Sequence, residues 1–182
     1  MEKYFLEALK EAEIALNNDE IPVGCVIVRE GEIIARGHNT TESMHDTTAH
    51  AEINAIREAS KFLGESLGYR RLTGCDMYVT MEPCSMCAGA LVWARIENVY
   101  IGTSDPKAGG CGSVLNIANC DKLNHQVNIH YLEDCEIKTR CQEIIRNFFK
   151  EKRKLQKEDK ILRRNLEEIK EWEKLLKYLH SY

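Results

Sequence analysis

Phe5, Leu9, Ala12 and Leu16 recur at helical spacing with Glu and Lys between them, so the chain is predicted to open on an amphipathic helix. "VGCVIV" (Val23 to Val28) is continuously apolar and rich in β-branched residues, as suits a central strand covered on both faces. "EGE" (Glu30 to Glu32) then turns the chain into a second apolar run, Ile33 to Ala35, and the pair reads as a hairpin. "MYVT" (Met77 to Thr80), "VYIG" (Val99 to Gly102) and "VNIH" (Val127 to His130) are three more strand candidates. Strands that alternate with helices imply a partly parallel sheet and an α/β sandwich.

Two helices are predicted between the strands. One runs from about His50 to Leu63, with Ile53, Ile56 and Leu63 spaced for burial and Thr47 or Thr48 placed to cap it. The other begins at Pro83 in the first helical position and carries "CSMCAGALVWA". Both start after strand ends, where open α/β sheets gather their ligands. From Arg140 to Tyr182 there is no Pro or Gly, so this stretch is predicted helical almost throughout. Leu155, Leu162, Ile169 and Leu176 recur every seven residues, with Trp172 and Leu179 beside the last two, an apolar stripe suited to a partner helix or to the body of the domain.

A length of 182 residues allows one domain with a substantial core. The organisation expected is a domain over residues 1–150 and a charged amphipathic extension over 151–182. No apolar run approaches the ~18 residues of a membrane span, and the N-terminus lacks the pattern of a secretory signal. With no sign of export, the eight cysteines are expected as thiols or metal ligands in a reducing cytoplasm rather than as a disulfide framework. The net charge of −4 is unevenly spread: Lys150 to Tyr182 holds 11 Lys and Arg against 7 Asp and Glu, a local +4 that leaves −8 for the rest. Binding to nucleic acid would therefore rest on local basic patches.

"EPCSMC" puts Cys84 and Cys87 three residues apart on the first turn of a helix, where both sulfurs can reach one ion and the helix dipole favours thiolate. By itself C-x-x-C is shared by redox pairs, structural zinc sites and catalytic metal sites. A structural zinc site wants four protein ligands, yet Cys111, Cys120, Cys135 and Cys141 form no second tight pair and read as core or surface thiols. "TAHAEINAI" supplies His50 and Glu52 at a matching helix start. Three ligands, His50, Cys84 and Cys87, leave a tetrahedral ion one open position for water, and Glu52, not needed as a ligand, can move the proton. Iron or cobalt could use the same ligands.

H-A-E followed about thirty residues later by P-C-x-x-C is the zinc nucleobase-deaminase signature. With "EIPVGCVIV", "GHNTTESMHDTTAHAEINAI", "DPKAGGCGS", "LNHQV" and "FFKEKR", the chain from Lys3 to Lys154 resembles the bacterial tRNA-specific adenosine deaminases. The resemblance implies a cytidine-deaminase-like, three-layer α/β/α sandwich on a mixed five-stranded sheet, a hairpin first and parallel strands after it, followed by the long C-terminal helical extension. It also implies a homodimer with one zinc per subunit that converts the wobble adenosine in the anticodon stem-loop of an arginine tRNA to inosine. On matching positions it implies zinc at His50, Cys84 and Cys87, proton transfer by Glu52, and contacts to the nucleoside and RNA from Asn39, Ala51, Asp105, Lys107, Phe148 and Phe149.

Read alone, Asn39 and "DPKAGG" are turn residues, and Phe148 and Phe149 suit a core as well as an RNA surface. A deaminase of a free purine or pyrimidine would share His50, Glu52, Cys84 and Cys87. Cys25 stands where the family more usually has alanine, and Thr47 where it commonly has proline. "HYLEDCEIKTRC" is about three residues longer than its counterpart, and most of the helix after Lys154 has none.

Overall fold

The computed structural model describes residues 1–68 and 71–179, with backbone alone for residues 174, 175, 178 and 179. The elements run α1 (Glu2–Asn17), β1 (Gly24–Arg29), β2 (Glu32–His38), α2 (Ala51–Leu67), β3 (Cys75–Met81), α3 (Ser85–Ala94), β4 (Asn98–Thr103), β5 (Asn128–Tyr131) and α4 (Glu136–Leu179). One five-stranded sheet has the order β2-β1-β3-β4-β5. β1 is antiparallel to both its neighbours, while β3, β4 and β5 run parallel. The hairpin turns on Glu30 and Gly31, both with positive φ.

β1 is buried over Gly24 to Val28, and its alternate residues serve two cores. Cys25 and Ile27 join α2, α3, Met77, Val79, Val99 and Ile101 on one side of the sheet. Val26 and Val28 join Tyr4, Phe5 and Leu9 of α1, Tyr78, and Ile137 and Cys141 of α4 on the other. Two helical layers on one sheet make the three-layer sandwich.

α2 buries a face that was expected only in part. Ala51, Glu52, Ala55, Ala59 and Leu63 are buried, whereas Ile53 and Ile56 are only partly covered. The helix lies so close to β2 that a Cβ on Gly37 would come within 2.2 Å of the Ala51 carbonyl oxygen. At that distance small residues make the closest contact, while Ile56 packs against the core from a partly covered position. Leu16, placed on the buried face of α1 by its spacing, is exposed, and Tyr4, Ala8 and Ala15 complete that face instead. Cys25 is fully buried and its thiol donates to the Ala51 carbonyl at 3.2 Å, so the sulfur has a partner here.

The chain divides into two compact units, Met1–Ile145 and a second beginning at Arg146. α4 starts four residues before Arg140. Its stripe of Leu155, Leu162, Ile169, Trp172 and Leu176 is exposed in the single chain. The Leu179 side chain and the predicted helical residues from His180 to Tyr182 lie outside the described residues. Among the described residues, no helix is long and apolar enough to cross a membrane.

Candidate active site

Both expected helix caps differ from the sequence reading, and the difference builds the site. α2 begins at Ala51, with His50 itself at the N-cap in an extended conformation (φ −71, ψ 156). Thr48 is occupied elsewhere, its N–H and hydroxyl both donating to Asp46 Oδ1 at 2.8 and 2.7 Å. α3 likewise begins at Ser85, after Pro83, with Cys84 extended at its N-cap (φ −67, ψ 175). An N-cap side chain is not yet bound to the helical screw, so His50 and Glu52 can converge although two helical residues would diverge by about 200°. The His50 side chain makes no cap bond to its own helix, and on its own helix Cys84 reaches Cys87, its fellow ligand. Both are directed to a shared centre.

At that centre His50 Nδ1 lies 3.7 Å from Cys84 Sγ and 3.6 Å from Cys87 Sγ, and the three ligand atoms all fall within 4.8 Å of one another. One imidazole nitrogen and two thiols form a donor set that suits zinc and leaves an approach open. Bonding to Cys87 and His50 holds the Cys84 thiol down at about 4, while the proton shared with Cys84, together with burial, drives Cys87 up. The imidazole of His50 is raised, chiefly by its bond to Cys84. Glu52 is 3 % exposed, and its carboxyl touches the Cys87 thiol. Burial pushes that carboxyl up to about 6, so near neutrality it can hold or release a proton.

Asn39 follows the end of β2. Asn54 of α2 ties this corner together by donating to the His38 carbonyl at 2.9 Å, to Thr40 Oγ1 at 3.0 Å and to the Ala49 carbonyl at 3.3 Å. Thr40 N also donates to the Ala49 carbonyl, placing the Asn39–Thr40 segment against the residue before His50. The Asn39 amide is not a simple turn cap: its Nδ2 donates to Glu20 Oε2 at 3.2 Å and to Thr41 Oγ1 at 3.0 Å. Both amide hydrogens are thereby engaged, which leaves Oδ1 as the free acceptor. Ala51 is fully buried.

Two carboxylates that the sequence did not single out hold the surrounding loops. Glu20, 1 % exposed, accepts from the amide of Asn39, the hydroxyls of Thr41 and Ser43, and the backbone N–H groups of Glu42 and Ser43. Burial opposes its ionisation, but those donors outweigh burial and hold the carboxyl below its usual range. Glu82, 3 % exposed, accepts from the N–H groups of Asp105, Cys111 and Ser113 and from the Ser113 hydroxyl. Its carboxyl is also held low, the donors again outweighing burial. A Cβ on Gly109 would come within 2.4 Å of this carboxylate, so the loop closes on it only because that residue is glycine. Gly110 N donates to the Pro83 carbonyl, and Gly109 bridges Cys84, fastening the loop to the cysteine turn. Nothing in "NNDE" or "MEPC" marked these acids apart from ordinary loop charges.

Asp105 Oδ1 accepts from Lys107 N at 2.9 Å and shapes the turn, while the Lys107 side chain is exposed. The first unit thus brings together His50, Glu52, Cys84 and Cys87, with Asn39 and the 105–113 loop fastened to the segments that carry them. Phe148 and Phe149 lie in the second unit. Phe148 is buried, Phe149 is 38 % exposed, and their rings meet edge to face at 5.4 Å. Cys111 and Cys141 are buried, Cys120 is partly covered and Cys135 is exposed; all eight cysteines are free thiols.

Comparison with known proteins agrees with this geometry. Residues 1–103 match the family described as the cytidine and deoxycytidylate deaminase zinc-binding region. The chain is 46% identical to the tRNA-specific adenosine deaminase of Aquifex aeolicus over 154 residues, 83% of this chain and 95% of that protein. It is 42% identical to the Bacillus subtilis protein of the same name over 167 residues, 92% of this chain and 98% of that one. Among solved structures it is similar to one from a study of A-to-I editing by tRNA:A34 deaminases at the wobble position of transfer RNA. There the TM-score is 0.71 at 40% identity, over 79% of this chain and 99% of that one. Guanine deaminase from Bacillus subtilis is similar at a TM-score of 0.53 and 33% identity, over 78% and 91%.

Proposed function

The chain belongs to the tRNA-specific adenosine deaminases of the cytidine and deoxycytidylate deaminase family, and we propose that it deaminates the wobble adenosine of an arginine tRNA to inosine. One observation carries the reading: a buried carboxyl, Glu52, touches a three-ligand metal set that does not need it as a ligand. His50, Cys84 and Cys87 would hold one zinc per subunit, which when bound would supply Lewis acidity to a water directed at C6 of the purine. Glu52 takes one proton from the attacking water and passes it to the ring nitrogen beside C6, then takes the second from the resulting C6 hydroxyl and gives it to the departing amine. Water is consumed, the C6–N bond breaks, and ammonia leaves. Moving those two protons in turn is what the buried position of Glu52 provides.

Asn39 and the backbone of Ala51 line the nucleoside site in this reading. Asp105 shapes the loop that presents Lys107 to the RNA, and Phe149 with the buried Phe148 behind it offers a stacking edge. An anticodon loop suits such a site because its bases are partly unstacked, so extrusion costs less than from a duplex. A homodimer is supported by the outer face of α3, where Met86 and Trp93, 80 % exposed, are apolar at the surface. Eight free thiols fit a reducing cytoplasm.

A free-base deaminase is the second reading, favoured by the likeness to guanine deaminase. The experiment that separates them offers the purified protein an arginine tRNA with an ACG anticodon, followed by reverse transcription. We expect the wobble adenosine to read as guanosine. Glu52→Ala should lose turnover by a factor of about 10²–10⁴ or more, as for a general acid–base group, with zinc content unchanged. No conversion by zinc-loaded, folded protein, together with release of ammonia from a free base, would overturn the tRNA reading; zinc loss in Glu52→Ala would overturn the proton-transfer role.

A further inference from the structure

The exposed part of α4 carries a charge pattern that the reaction does not use. Lys150, Arg153, Lys157, Lys160 and Arg164 recur at steps of three and four residues, the spacing that keeps returning to one helix face. At about 100° per residue they fall within a sector of about 80°, and all five are exposed. Acidic residues of the same stretch, Glu151, Glu158 and Asp159, fall on the other side of the helix with Leu155 and Leu162. No acid interrupts the row until Glu167, Glu168 and Glu171 end it. Helical rise makes the row about 21 Å long.

A single anion would need a cluster; a straight row of cations calls for a ligand with regularly repeated negative charge. Residues 150–164 hold eight Lys and Arg against three Asp and Glu, in a chain whose net charge is −4. Among the described residues the row includes no aromatic side chain, so it has nothing on which to stack a base and suits a backbone rather than unpaired nucleotides. Its intrahelical ion pair, Arg164 Nε to Glu168 Oε1 at 4.0 Å, is solvent-exposed and contributes at most about 1 kcal/mol. That contact does not compete with a polyanion. We propose that this face binds the phosphate backbone of the tRNA stem, extending the substrate contact past the anticodon loop. The inference rests on the tRNA reading above.

The test replaces Lys157, Lys160 and Arg164 together by alanine in the full-length, zinc-loaded protein. Binding to whole tRNA and to a short anticodon hairpin is then followed against salt concentration. The slope of log Kd against log salt for whole tRNA should fall in magnitude by roughly 2–3, at 0.7–0.9 per lost phosphate contact. Affinity for whole tRNA should fall about tenfold or more at low salt, and that for the hairpin less, with kcat unchanged. A charge-keeping variant, K157R/K160R/R164K, should restore the parent slope, which separates lost charge from misfolding. An unchanged slope and affinity would overturn the proposal, as would a changed oligomeric state with RNA binding intact, or loss of binding to anionic lipid vesicles alone. If the parent protein fails to convert tRNA, the substrate reading fails; if it converts tRNA and the triple variant binds like the parent, only this inference fails.

Discussion

Glu20 and Glu82 show how two buried charges can be affordable at the edge of a site. Each would cost several kcal/mol if left unpaired, and each instead collects donors from backbone and hydroxyl groups. Glu20 accepts only, so the Asn39 amide must turn its Nδ2 toward it. Glu20→Gln brings a donor into that position and removes the charge that five groups share. It should destabilise the fold by about 1–3 kcal/mol, the cost of stranding a buried hydrogen-bonding group, and raise KM for the tRNA more than it lowers kcat. Because the Glu20 carboxyl is held below its usual value of 4.5, its stabilising contribution is present above that value. The contribution is lost as pH falls through the lower folded-state value. Thermal melts from pH 7 down to pH 3 should therefore show a shallower acid loss in the variant, and superimposable curves would refute the role. His50, Glu52, Cys84 and Cys87 were legible because their spacing is itself the chemistry. Glu20 and Glu82 were not, since their partners lie 19 to 31 residues along the chain and about half are backbone groups, which a side-chain pattern does not record.

Elements were read well where periodicity is strong and poorly where small residues make the contact. The continuously apolar run in β1 and the long run without Gly or Pro in α4 predicted a two-sided central strand and a continuous helix, and both are present. The α2 face was legible through Leu63 and Ile56, but its closest contact is built from alanines against Gly37, which a pattern of large apolar side chains does not record. Cap positions were misassigned because Thr48 and Pro83 are good helix starters, yet the ligands His50 and Cys84 take the N-cap positions themselves. α3 was read only for its cysteines, although its outer face is apolar too. Changing Ala90 to Arg and Trp93 to Glu on that face should convert a dimer into a monomer near 20.9 kDa by light scattering. A monomeric parent, or a variant that stays dimeric, would show that α3 is not the interface.

For the molecule as a whole, the strand and helix order announced the sandwich, whereas the heptad stripe of the extension suited a partner helix and the domain body equally. A further consequence lies in the seam between the 105–113 loop and the cysteine turn. Glu82 and Gly110 join the segment that carries Lys107 to the residues flanking Cys84, so order imposed on one favours order in the other. Where such a seam couples two ligands, each strengthens the other by the same factor, typically about 5–150-fold. Bound anticodon hairpin should therefore lower the equilibrium transfer of zinc to a competing chelator, and metal-free protein should bind the hairpin more weakly by an equal factor. Zinc transfer unchanged by bound hairpin would refute the linkage. A cell short of zinc would then see idle copies of the protein surrender their metal first, while those engaged with RNA keep theirs.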